Sequence, residues 1–303
     1  MKKIKEPLFR GVATALVTPF KDTEIDYPAL ARLIEDQISA GVGALVIGGT
    51  TGEAATLSEL ERYKLFEYSM QRADKRVKII LGTGTNDTKM ALERTKFAKS
   101  LGADGALVVT PYYNKGTEEG VFRHYSLIAD EADIPIILYN VPSRTGVNLG
   151  LHLLERLSEH PRIVGLKEAG DSTDRLVALA QFRDTLPLYA GNDSQIYPTL
   201  ALGGVGVISV VSNILPRLSS ELCTAYFEGR HDRALALQLK LLPLIRALFL
   251  ETNPAPAKYA MSLLGRTSAE LRLPLAEVRE STKDALKKEL SEFFPHLAPS
   301  WVI

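Results

Sequence analysis

Lys167 is the residue whose surroundings most plainly invite chemistry. It directly follows the apolar run Ile163-Val-Gly-Leu166 and precedes Glu168. Burial at the end of an apolar wall disfavours the charged ammonium. An unperturbed lysine, with a pKa near about 10.4, is neutral in only about one molecule in 2,500 at pH 7. A lysine lowered by desolvation attacks a ketone and forms a Schiff base, which then acts as an electron sink. The alternative is an ordinary ion pair with Glu168. Tyr139 ends the preceding apolar run and can reach the same space, where a phenol shuttles protons during imine formation. It can equally belong to the core. Thr50-Thr51, inside Gly48-Gly-Thr-Thr-Gly-Glu53, offers hydroxyls and closely approachable N–H groups to a small carboxylate, or is a plain strand-to-helix turn. Arg144, in Pro142-Ser-Arg-Thr-Gly146, has the fork that clamps a second carboxylate, or is a solvated loop arginine. Tyr112 and Tyr113 are adjacent aromatics that suit a site, packing or a subunit contact.

These residues need a frame that brings run ends together. Eight short β-rich apolar runs recur: Val12–Val17, Ala44–Ile47, Val77–Leu81, Ala106–Val109, Ile134–Tyr139, Ile163–Leu166, Leu186–Tyr189 and Val205–Val211. Several are continuously apolar, as strands buried on both faces are. Helix-length amphipathic segments separate most of them. Asp26 caps the first, with Leu30, Leu33, Ile34 and Ile38 at helical spacing and Gly41 as its stop. Thr88–Leu101, Leu151–Leu157 and Leu176–Phe182 read similarly. This alternation predicts a (β/α)8 TIM barrel, with a doubly wound open sheet as the rival. No G-x-G-x-x-G follows any strand, which weakens the rival.

Beyond about Leu222 the chain reads as helical. Asp232–Leu250 predicts a long helix with Pro243 as a kink point, Asn253-Pro-Ala-Pro256 a break, and Ala257–Leu264 and Ser281–Phe294 two more helices. Residues 1–225 therefore read as a catalytic barrel and 226–303 as a C-terminal helical domain packed on it. In such barrels the working groups lie where the strands end. Every residue singled out above ends or follows a run.

Composition narrows the function. The 303 residues carry 36 Lys+Arg against 36 Asp+Glu, so no basic surplus serves general nucleic-acid binding. No apolar stretch approaches a membrane span. The lone Cys223 forms no internal disulfide, which suits the cytoplasm. None of the five histidines is paired at metal-ligand spacing, and neither a metal nor a cofactor is expected.

GGTTGE, TPYYNK, LYNVPSRTG and GLKEAG, in this order and spacing, resemble the pyruvate-dependent class I aldolases, the N-acetylneuraminate lyase superfamily, and within it the dihydrodipicolinate synthase family. The likeness extends through GGVGVISV to NPAPAK. The resemblance implies condensation of pyruvate with aspartate 4-semialdehyde. It makes Lys167 the Schiff-base lysine and Tyr139 the general acid/base, relayed through Thr50 and Tyr113. Thr51 binds the pyruvate carboxylate, Arg144 that of the semialdehyde, and Ile208 and Gly191 line the pyruvate pocket through their backbone. Tyr113 is lent across a tight dimer, usually within a dimer of dimers. Sugar-acid aldolases of the same superfamily are the rival reading; they generally lack the arginine matching Arg144. A non-catalytic homologue and a phosphate-binding barrel using Gly203-Gly-Val-Gly206 are weaker ones. Lysine-inhibited relatives bind their effector at a subunit interface. Asn86 and Tyr112 match that site, and Glu59 and Arg62 occupy the positions of its basic or aromatic pair. Met90 replaces the expected acidic residue, so weak or absent lysine feedback is expected.

Overall fold

The structure is a computed structural model describing residues 4–297. Its strands are β1 (Gly11–Ala15), β2 (Phe20–Lys21), β3 (Glu24–Ile25), β4 (Ala44–Ile47), β5 (Lys78–Gly82), β6 (Gly105–Val109), β7 (Ile136–Asn140), β8 (Ile163–Glu168), β9 (Leu188–Ala190) and β10 (Gly206–Ser209). Among the described residues, β1 and β4 to β10 pair in parallel and close into a barrel, while β2 and β3 form a small antiparallel hairpin. The open-sheet rival is thereby excluded. Each of the eight barrel strands overlaps one of the expected runs. The hairpin lacks an apolar run of its own and leaves no such signal.

The helices are α1 (Tyr27–Ser39), α2 (Glu59–Ala73), α3 (Thr88–Ser100), α4 (Glu118–Ala132), α5 (Pro142–Thr145), α6 (Leu151–Ser158), α7 (Thr173–Leu179), α8 (Ile196–Ala201), α9 (Pro216–Phe227), α10 (His231–Ala247), α11 (Ala255–Leu263) and α12 (Glu280–Ser291). Local chemistry sets their ends. The Asp26 side chain accepts from Ala29 N and caps α1, and Asp87 caps α3 by accepting from Met90 N. Ser58 and Glu61 form a reciprocal capping box at α2. The expected break over residues 253–256 is shorter than its sequence suggests. Helix α11 already begins at Ala255, because Pro256 falls in its first turn, where the missing N–H is harmless.

Two apolar layers result. Ile137, Tyr139, Val141, Ala169, Tyr189 and Ile208 belong to a cluster inside the barrel, whereas Ile136, Leu138, Ile163 and Leu166 join the larger layer between barrel and helices. Tyr189 closes the interior from below, stacked on Phe9 with ring centroids 4.3 Å apart and its hydroxyl donating to Phe9 O at 2.9 Å.

The C-terminal helices are fastened back onto the barrel by polar contacts. Lys258 Nζ of α11 donates to Glu53 Oε1 at 2.5 Å, and both side chains are 0% exposed. Glu53 sits at φ 53°, left-handed backbone that a non-glycine residue rarely holds unless its surroundings fix it. Its other oxygen accepts from Arg272 N at 3.1 Å, and the Lys258 ammonium also lies 4.1 Å from the centroid of the Phe20 ring. Replacing Lys258 by methionine would leave Glu53 as an uncompensated buried carboxylate, a loss of about 3–5 kcal/mol. Urea unfolding should show that loss for Lys258→Met and recover much of it in Glu53→Gln/Lys258→Met. A loss below about 1 kcal/mol, the range of exposed pairs, would mean that the pair behaves as a solvated one.

Candidate active site

Strands β7 and β8 are neighbours, and their register sets Tyr139 opposite Lys167 and Asn140 opposite Glu168. The pairing skips Val164 of β8 between Ile136 and Ile137, and from Ile137 onward β7 alternates regularly, with Ile137, Tyr139 and Val141 in the cluster inside the barrel. Lys167 Nζ lies 4.2 Å from the centroid of the Tyr139 ring, and the two residues are 5% and 6% exposed. The expected alternative, an ion pair of Lys167 with Glu168, does not form. The Glu168 carboxylate is instead filled by Asn140 Nδ2 at 2.9 and 3.0 Å, Gly170 N at 2.8 Å and Arg175 Nε at 2.9 Å. That network rigidifies the end of β8 and leaves the lysine amine to the barrel mouth.

Two more strand ends close around it. Gly191, after β9, donates its N–H to Glu168 O at 2.6 Å, and a Cβ there would stand 2.6 Å from both Ala169 Cβ and Glu168 O. Only glycine allows that approach. Asp193 Oδ2 accepts from Val210 N at 2.9 Å and Val211 N at 2.8 Å, which ties the loop after β9 to the end of β10. Burial pushes the Asp193 carboxyl up. The Ser209 hydroxyl, the two N–H donors and the positive charge of Lys167 pull the other way.

A cavity of ≈ 580 Å³ opens above these groups. Thr50, Thr51, Tyr139, Arg144, Lys167 and Gly191 all line it. Arg144 belongs to the short helix α5 rather than to a loop, because Pro142 starts that turn and Gly146, at φ 68°, ends it. Arg144 Nη2 donates to Asn253 O at 2.9 Å, and Asn253 Nδ2 donates to Thr51 Oγ1 at 2.9 Å. Asn253, from the segment between α10 and α11, thus joins residues on two different barrel loops. Its place in a proline-rich break gave no local signal of this.

The remaining expected residues fall elsewhere. Ile208 is fully buried inside the barrel and is not among the cavity-lining residues; Val210, two residues on, is. Tyr113 does not reach the cavity within its own chain. It is 88% exposed at φ 71°. A second cavity of ≈ 390 Å³ adjoins the first and shares Thr50, Tyr139, Arg144 and Asn253 with it. Arg62 and Tyr112 line this second space together with Arg94. Glu59 is engaged by Arg94, whose Nε donates to its Oε2 at 3.0 Å, and Arg62 Nη2 donates to Ala54 O at 2.6 Å. Asn86 accepts at its backbone oxygen from Asn114 Nδ2 at 2.9 Å and is not among the lining residues.

The structure thus sets an amine and a phenol together at the mouth of a closed parallel barrel, in one cavity with hydroxyls and a guanidinium. The comparisons with known proteins identify the family. Residues 8–293 match the model of the dihydrodipicolinate synthetase family, and the chain belongs to that family. It is 47% identical over 290 residues to 4-hydroxy-tetrahydrodipicolinate synthase of Thermotoga neapolitana, covering 94% of this chain and 99% of that one. It is 44% identical over 287 residues to the enzyme of the same name from Clostridium novyi, covering 94% and 97%. Among solved structures it resembles dihydrodipicolinate synthase from Thermotoga maritima, with a TM-score of 0.92, 44% identity and coverage of 96% and 100%.

Proposed function

We propose that this chain is an enzyme condensing pyruvate with L-aspartate 4-semialdehyde to 4-hydroxy-tetrahydrodipicolinate, on the route to diaminopimelate and lysine. The observation that carries the reading is the Tyr139–Lys167 pair at the barrel mouth, in one cavity with Thr50, Thr51 and Arg144. The Lys167 amine attacks the pyruvate ketone, and loss of water leaves an imine. Tyr139 moves the protons of that step and of enamine formation, relayed by Thr50 and Tyr113. Thr51 takes the pyruvate carboxylate and Gly191 presents its backbone to the same pocket. The enamine carbon attacks the aldehyde, whose carboxylate Arg144 clamps. The substrate's own amine then closes the ring on the imine carbon and releases Lys167.

Arg144 favours this reaction over the sugar-acid aldolase reading. A fixed guanidinium recognises a carboxylate bidentately and gains nothing from a polyhydroxylated chain. The test is borohydride reduction with pyruvate, followed by peptide mapping, alongside turnover of aspartate semialdehyde against sugar-acid substrates.

The functional unit we infer is a dimer of dimers in which Tyr113 is exchanged across the tight interface. A large aromatic held exposed in a left-handed conformation is better explained by a partner than by solvent. We also infer a division at about residue 225 into barrel and C-terminal helical domain; its two ends, residues 1–3 and 298–303, lie outside the described residues. Among the described residues no helix is long and apolar enough to cross a membrane. A lone, buried Cys223 supports a cytoplasmic setting.

Feedback by lysine should be weak. Met90 supplies no carboxylate, and the one on Glu59 is taken up by Arg94, while Arg62 adds a second guanidinium facing the same cavity. Arg62, Arg94 and Arg144 all line that cavity and oppose entry of a cationic amino acid. Millimolar L-lysine is expected to leave the rate within about twofold of its uninhibited value, a free-energy change under about 0.5 kcal/mol; inhibition at micromolar lysine would overturn the assignment.

A further inference from the structure

The two carboxylate-binding residues of the proposed mechanism are joined by a single residue outside the barrel strands, the asparagine that opens the NPAPAK segment. Asn253 is 5% exposed and lines both cavities. Its side chain and its main chain do different things. The side-chain Nδ2 donates to Thr51 Oγ1 at 2.9 Å, and the backbone oxygen accepts from Arg144 Nη2 at 2.9 Å.

The direction of the first bond matters. A hydroxyl carries one proton and two acceptor lone pairs, whereas an ionised carboxylate only accepts. With the Asn253 N–H already on Thr51 Oγ1, the threonine proton is left to point at the ligand. A carboxylate in the cavity then meets a donor rather than a lone pair. The second bond uses one N–H of a guanidinium that has five, so Arg144 is oriented without being used up. The position of Asn253 is itself fixed from the C-terminal side. Lys258 N donates to Pro254 O at 2.9 Å in the first turn of α11, and Lys258 Nζ is locked into Glu53.

We propose that Asn253 is a positioning residue for both substrates, its side chain setting the Thr51 proton for pyruvate and its backbone oxygen aiming Arg144 at the aldehyde's carboxylate. This rests on the reaction proposed above. The two arms are separable, because substitution removes the side chain and keeps the backbone carbonyl.

The experiment is steady-state kinetics of Asn253→Ala and Asn253→Asp with each substrate varied in turn. Alanine frees the Thr51 hydroxyl to rotate, so the KM for pyruvate should rise about tenfold, the effect of one lost hydrogen bond. The KM for the aldehyde should stay within about twofold. Aspartate should be worse for pyruvate than alanine, by at least another order of magnitude. Its carboxylate takes the Thr51 proton and adds a negative charge beside the ligand's own. A double-mutant cycle isolates the route: in a Thr51→Val background, Asn253→Ala should add almost nothing to the pyruvate KM. Should Asn253→Ala not fold, Asn253→Ser carries the same comparison. Unchanged pyruvate KM, an aspartate variant no worse than alanine, or an equal rise in both KM values with a fall in kcat would overturn the inference while leaving the reaction standing. Absence of a pyruvate adduct on wild-type Lys167 would overturn the reaction and this inference with it.

Discussion

Lys167→Ala should yield no reduced pyruvyl adduct after borohydride treatment, where the wild-type chain yields one that maps to the peptide bearing Lys167. Its kcat should fall on the order of 10³-fold or more, equivalent to about 4 kcal/mol of barrier. The amine is the one group in the cavity that can hold pyruvate covalently next to Tyr139, whose ring centroid lies 4.2 Å from Nζ. Without it the remaining hydroxyls and the guanidinium still bind carboxylates but supply no electron sink. The fold should survive, because the β7–β8 pairing and the Glu168 network do not use the lysine amine. An adduct on another lysine, or an adduct that persists in the variant, would sink the covalent mechanism.

Arg144→Ala should separate the two half-reactions. Pyruvate trapping on Lys167 is expected to remain, because the Arg144 guanidinium takes no part in imine formation. Productive condensation should fall about 10²-fold or more, mostly as a higher KM for the aldehyde, since two charge-assisted hydrogen bonds to a carboxylate are worth about 1.5–3 kcal/mol each. Arg144→Lys should be intermediate: it keeps the charge but loses the planar fork. Equal loss of trapping and condensation in the alanine variant would show that Arg144 acts by holding Asn253 O rather than the substrate.

The strand ends were legible because barrel architecture converts sequence position into geometry. A polar residue at or just after the end of a buried run has to emerge at one rim, and that reasoning reaches Lys167, Tyr139, Thr50 and Thr51, all of which line one cavity; Gly191, which lines it too, was implied only by the family resemblance. It also reaches Arg144, although the turn bearing it is helical rather than irregular. It does not reach Asn253 or Lys258. Their partners, Thr51 and Glu53, lie more than two hundred residues earlier. Local periodicity carries no information on a hydrogen bond of that span, and a proline-flanked asparagine looks like any helix boundary. The hairpin of β2 and β3 was missed for a different reason, since two-residue strands have no period to detect.

The opposition of Tyr139 and Lys167 is a matter of strand register, so the spacing of sheet hydrogen bonds fixes it and surface loops cannot disturb it. Arg144 hangs instead on a single four-residue helical turn just beyond β7. Under the proposed mechanism the imine-forming machinery and the choice of aldehyde are therefore inherited from different parts of the chain. Exchanging the Pro142–Thr145 turn is a compact route to a new acceptor aldehyde, because the ladder that makes the nucleophile is left as it was.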